Sequence, residues 1–108
     1  MPIMAIYRSP DVDRETFNRY RVEAPIEPAP SGAIFHQVAF SEGGMLAIDI
    51  WESEAEMKAF SEERVYPALE KLGIPLAPPE LLQVHALWAA PDARRHNVDA
   101  PLPKRVSA

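Results

Sequence analysis

Few side chains in this chain can do chemistry. There is no cysteine, so thiolate nucleophiles, disulfides and thiolate metal sites are excluded, and acid–base work falls to Asp, Glu and three histidines. One carboxylate is conspicuous. Asp49 lies in LAIDIWES, a stretch that reads as a β-strand in which another apolar residue would be safer. An ionised carboxylate buried without a partner is costly or shifts its pKa until it neutralises, so the strand must turn Asp49 to water or give it a partner. His36, in GAIFHQVAFS, is the candidate partner. A carboxylate beside an imidazole orients the ring and raises its basicity, which suits a general base that takes a proton from a bound substrate. A plain cross-strand polar pair would have the same composition.

Whether the two meet depends on a turn. The stretches around His36 and Asp49 flank Glu42-Gly43-Gly44 and read as the arms of a β-hairpin. With Glu42-Gly43 as a two-residue loop, Ser41 pairs with Gly44 and His36 lies opposite Asp49. With Gly43-Gly44 as the loop, the two become diagonal neighbours on one face. Only an odd loop or a bulge would separate them.

The remaining elements must hold this hairpin. IMAIYR reads as a first strand. Asp13 is the expected N-cap of a helix with Val12 and Phe17 as a staple, and Phe17, Tyr20 and Ala24 recur on one face until Pro25. Ser53 and Glu56 form a capping box that starts a second helix as the third strand ends, with Met57 and Phe60 toward the core. Pro67 predicts a break near residues 64–66 and hence two short helices, the second ending at Gly73. ELLQVHALWAA reads as a last strand. The order β-α-β-β-α-β is that of an α+β, ferredoxin-like fold, a four-stranded antiparallel sheet of order 4-1-3-2 with both helices on one face. Residues 1–90 make this domain and 91–108 an extended, proline-bearing tail.

Strand alternation puts His36, Val38 and Phe40 on one face with Ala47, Asp49 and Trp51, and Phe35, Gln37 and Ala39 on the other with Leu46, Ile48 and Ile50. The second set is the more uniformly apolar and is expected against the helices. That leaves His36, Asp49 and Trp51 on the open face, joined by Gln83 and His85 from the last strand and by Tyr7 from the first. Such a mixture of apolar wall and polar groups suits a small-molecule pocket. An open sheet face this apolar also calls for a covering partner.

The 108 residues, 47% hydrophobic and 25% charged, fit one ordinary globular domain, and no apolar run approaches the roughly 20 residues of a membrane span. The N-terminal stretch MPIMAIYRS has no secretory pattern, so a cytoplasmic location is expected. The net charge of −5, with basic clusters only in RETFNRYR and near the C-terminus, argues against nucleic acid. Two histidines and a carboxylate from separate strands lack the spacing of a metal site, and no metal or organic cofactor is expected.

The segment WESEAEMKAF, with Trp51 ending the third strand and Ser53 capping the next helix, resembles the dimeric α+β barrel superfamily, and in particular its antibiotic-biosynthesis-monooxygenase-like members. The resemblance spans about residues 3 to 89 as an element pattern. It implies a homodimer in which two sheets pack face to face, a pocket lined by the strand-ending Trp51, and a small hydrophobic or aromatic ligand. It also implies a cofactor-free activity such as oxygenase, isomerase or cyclase. Relatives that degrade haem often carry a histidine in this helix, where Phe60 or Ser61 stands here. A non-catalytic binding protein or structural homodimer is the alternative.

Overall fold

A computed structural model describes residues 1–75 and 77–98. Four strands, β1 (Ile3–Ser9), β2 (Ala33–Ser41), β3 (Gly44–Trp51) and β4 (Glu80–Gln83), form one antiparallel sheet of order β2-β3-β1-β4. This is the predicted order read from the other edge. Helix α1 (Arg14–Glu23) connects β1 to β2, and a helical rod connects β3 to β4, which completes the α+β ferredoxin-like arrangement.

Local chemistry explains the element boundaries. The Asp13 carboxylate accepts the Thr16 backbone N–H at 2.8 Å and so caps α1, and its pKa is held below the ordinary value chiefly by that bond. At Gly44, φ is +107°, and a Cβ there would lie 2.4 Å from Pro10 Cα, so only glycine lets the hairpin pack against the end of β1. The hairpin loop is Glu42-Gly43, with Ser41 opposite Gly44 and His36 opposite Asp49. A bulge does occur in β2, between Ala33 and Phe35, but it precedes His36 and leaves the pair in register.

The rod differs from the expected pair of short helices. It runs without a break through α2 (Glu54–Phe60), a π-helical turn (Ser61–Val65) and α3 (Tyr66–Leu72). Pro67 has no N–H to give and its ring would clash with the carbonyl four residues back, so the wide turn, in which the Tyr66 N–H reaches the Ser61 carbonyl, absorbs it. The rod ends as expected at left-handed Gly73. Two contacts fasten the layers: Arg64 donates to the Pro25 and Pro28 carbonyls, and Lys71 Nζ lies 2.9 Å from the Glu23 carboxylate.

The sheet faces are the reverse of the expected ones. Ala5, Trp51 and Met57 form the buried core with Ile3, Tyr7 and Phe60 packed against them, and β1 register puts Ala5 opposite Asp49 and Tyr7 opposite Ala47. The set containing His36, Asp49, Trp51 and Tyr7 therefore lies under the helices. The set containing Phe35, Leu46 and Leu82 is the open face, where these three side chains are exposed. Both sets are apolar enough to pack, so uniformity of composition does not decide which one the helices cover.

The last strand is also shorter than ELLQVHALWAA suggests. Its ladder partner β1 begins at Ile3, preceded by Pro2, which offers a carbonyl to Val84 at 2.9 Å but has no N–H to return. Pairing ends there, and Trp88 is 82% exposed. Of the expected tail, Ala93–His96 make a short 3₁₀ turn, and residues 99–108 lie outside the described residues.

Candidate active site

A cavity of about 130 Å³ lies between the covered face of the sheet and the helices. Its floor is Tyr7, Ala47, Asp49 and Trp51 from the sheet, with His36 beside them. Phe17, Tyr20 and Arg21 of α1 form one wall, and Met57, Phe60 and Ser61 of the rod form another. A dry cavity of about 150 Å³ takes one benzene molecule, so this volume suits a single ring.

The polar groups form a chain across the cavity wall. The His36 Nδ1 and Asp49 Oδ1 atoms are 2.5 Å apart, and His36 Nε2 is 2.8 Å from Arg21 Nη2. A guanidinium can only donate, so Nε2 is an acceptor, and the proton of the neutral ring is on Nδ1, where it is donated to Asp49. The side chains of His36 and Asp49 are 28% and 16% exposed. Arg21 is 5% exposed, its Nη1 donates to the Ala24 carbonyl at 2.9 Å, and its guanidinium packs over the rings of Phe17 and Tyr20. The Ala24 carbonyl is one that the end of α1 leaves without a helical partner, so Arg21 satisfies it while reaching His36.

Two phenols complete the site. Burial pushes the Tyr7 hydroxyl far above its ordinary value, the Asp49 charge adds to this, and a hydrogen bond with Ser61 opposes it. Burial also raises Tyr20, against the pull of the Arg21 cation. Both stay protonated at neutral pH and are available as donors. The π-helical turn that accommodates Pro67 is also what carries buried Ser61 to this wall. Trp51 is 3% exposed, stacks on Phe60 with centroids 5.4 Å apart, and its indole Nε1 has no hydrogen-bond partner among the described residues.

His36, Asp49, Trp51 and Tyr7 thus all line one cavity, although on the helix side of the sheet. Gln83 and His85 do not. Gln83 ends β4 and His85 follows it, both exposed and both outside the cavity lining. Among the described residues no three side chains of metal-ligand type gather together. Sequence reasoning missed Arg21, Tyr20 as a polar group, and Ser61. Arg21 was legible in principle, because it stands four residues after Phe17 and three before Ala24, on the apolar stripe of α1.

No protein-family model matches the chain, and no curated protein does. Among solved structures, a crystal structure from Chloroflexus aurantiacus J-10-fl, provisionally named an antibiotic biosynthesis monooxygenase, superposes with a TM-score of 0.53. The match covers 82% of this chain and 94% of that one at 16% identity. The chain shares the fold of that protein. At that identity the likeness concerns the backbone, and the side-chain chemistry of the cavity stands on its own. No described helix is long and apolar enough to cross a membrane.

Proposed function

We propose that the chain is a small-molecule enzyme that binds a compact hydrophobic or aromatic compound in this cavity and removes a proton from it with His36, which Asp49 orients. The observation that carries the reading is the imidazole held by a carboxylate on the wall of a ring-sized, mostly apolar space. Asp49 fixes the Nδ1–H tautomer and stabilises the imidazolium that forms when Nε2 takes a proton. Proton removal is an opening step shared by cofactor-free oxygenation, isomerisation and cyclisation, and the named neighbour's monooxygenase label is compatible with the first. The indole N–H of Trp51, without a hydrogen-bond partner among the described residues, supports a ligand that brings an acceptor oxygen.

The working unit in this proposal is a homodimer in the cytoplasm, with the apolar face bearing Phe35, Leu46 and Leu82 packed on a second copy. A non-catalytic binding protein is the second reading. It is favoured by the fact that both ring nitrogens of His36 already have partners within the chain.

Protein purified from its own host and examined by native mass spectrometry should carry a small aromatic or enolisable compound. That compound, added back, should be turned over by the wild type. His36→Gln should bind it within a few-fold of the wild type yet turn it over at least about a hundredfold more slowly, the usual worth of a general base. Undiminished turnover by His36→Gln would eliminate the base, and no turnover by either protein would favour the binding protein.

A further inference from the structure

The chain Asp49–His36–Arg21 contains a difficulty for any base at position 36. The lone pair of Nε2, which must accept the substrate proton, already accepts an N–H from Arg21 at 2.8 Å. A protonated Nε2 would point its hydrogen at a guanidinium that can only donate, so the Arg21–His36 bond and the imidazolium cannot coexist in this geometry. Proton transfer therefore has to release Arg21 Nη2.

We propose that Arg21 is the anion-stabilising residue of the site, exchanging His36 Nε2 for the substrate oxygen on which negative charge develops, and that the substrate class is therefore a ring-sized compound with an acidic O–H or enolisable C–H next to a carbonyl. This rests on the reading of His36 as a base and adds the substrate's ionisation to it. The step balances. The substrate O–H or C–H bond breaks with its electron pair left on the substrate, a new N–H bond forms on the Nε2 lone pair, and the N–H of Arg21 turns to the new oxyanion. Nothing is oxidised or reduced.

Three observations support the exchange. An atom close enough to pass a proton to Nε2 lies about 3 Å from it, and the donor released from Nε2 starts 2.8 Å from that same nitrogen, so the movement is a small rotation of the guanidinium. Arg21 is anchored independently by its Nη1 bond to the Ala24 carbonyl and by packing over Phe17 and Tyr20, so Nη2 can change partner while the side chain stays in place. The charges that form are also matched, while Tyr7 and Tyr20 remain uncharged. Proton transfer adds one positive charge on His36 and one negative charge on the ligand, and Arg21 and Asp49 then each face an opposite charge.

The test uses 4-nitrophenol, whose phenolate has its own visible absorption band, and 4-nitroanisole, which has the same ring but no acidic proton. Wild-type protein should bind 4-nitrophenol as phenolate at a pH below the probe's own pKa and should bind 4-nitroanisole without spectral change. Arg21→Met should weaken phenolate binding at least about tenfold, the worth of one charge-assisted hydrogen bond, while 4-nitroanisole affinity stays within about twofold. Because Arg21 is buried and its loss could affect folding, nitrogen NMR of wild-type His36 provides a second readout. The free protein and the 4-nitroanisole complex should show the proton on Nδ1 alone, and the 4-nitrophenol complex should show both ring nitrogens protonated.

Equal phenolate binding by wild type and Arg21→Met would overturn the role of Arg21 and leave the His36 base standing, whereas an Nε2–H tautomer in the free protein would overturn both. Binding of 4-nitrophenol only as the neutral phenol would overturn the proposed ionisation while preserving the cavity as a binding site. Failure of both probes to bind would remove this proposal together with the cavity reading.

Discussion

On the helix-covered face of the sheet, an acid, an imidazole, a guanidinium and two phenols line a largely apolar cavity. On the opposite face, a few angstroms away through the same backbone, Phe35, Leu46 and Leu82 stand exposed. The first arrangement inverts the usual expectation for an interior and the second inverts it for a surface. Each charged group under the helices has a hydrogen-bonding neighbour that offsets its desolvation, whereas Phe35, Leu46 and Leu82 keep part of their apolar surface in solvent. The covered face finds its partners within one chain, and the second copy proposed above would supply them on the open face.

The most forceful way to break this contrast is to charge the open face. Leu46→Lys should leave the isolated fold within about 0.5 kcal/mol of the wild type, since the side chain is solvated there. If a second copy covers the face, the buried ammonium should cost about 3 kcal/mol and weaken self-association more than a hundredfold, read by sedimentation equilibrium. Wild-type protein that sediments as a monomer at all concentrations would instead assign the open face to some other partner.

How far these two faces were legible in the sequence depended on what kind of information each needed. The hairpin register followed from turn chemistry: Glu42-Gly43 closes the loop, Gly44 admits a close approach that no side chain would permit, and His36 must then face Asp49. The direction of that pair was not legible, because both strand faces carry enough apolar residues to pack and alternation distinguishes sides without naming them. The sequence did pose the correct question about Asp49, that of its partner. Half of the answer, Arg21, was hidden in a stretch read as a basic surface cluster. An arginine on the apolar stripe of α1 and an aspartate in an apolar strand are each anomalous alone and become intelligible only as a pair joined through His36. His85 lies outside the cavity for a different reason, since strand propensity continues through residues 84–90 while β1 supplies no backbone to pair with beyond Pro2, and Gln83, though paired with Ile3, sits on the edge strand away from the cavity lining.

A smaller effect tests the covered face. In the folded chain the Tyr7 phenol is raised above its ordinary value of 10.0 by burial first and by the Asp49 charge second. The unfolded chain ionises Tyr7 near that ordinary value while the folded chain does not. The stability this contributes is therefore present below pH 10 and is lost as pH rises past it toward the folded-state value. Tyr7→Phe should make the alkaline fall in the urea midpoint shallower than in the wild type. An unchanged alkaline profile would mean that Tyr7 is wetter than its place on the cavity floor implies.

The smallest effect concerns a pair that belongs to neither interior. Arg8 Nη1 lies 3.1 Å from Glu80 Oε1, with side chains 66% and 52% exposed, and the registers Arg8 opposite Leu46 and Glu80 opposite Ile6 place both on the open face. Geometrically this contact resembles the Arg21–His36 bond, but water surrounds it, and an exposed pair contributes at most about 1 kcal/mol and weakens with salt. Arg8→Ala should accordingly change the urea midpoint of the fold very little. The informative measurement is a double-mutant cycle between Arg8→Ala and Glu80→Ala, performed once below and once above the protein concentration at which the chain self-associates. If a second copy shields this corner of the sheet, the coupling should be larger in the associating protein, because the same two charges interact more strongly once solvent is excluded. Equal coupling at the two concentrations would confine the covering partner to the apolar centre of the face, around Phe35 and Leu46, and leave the Arg8 edge in water.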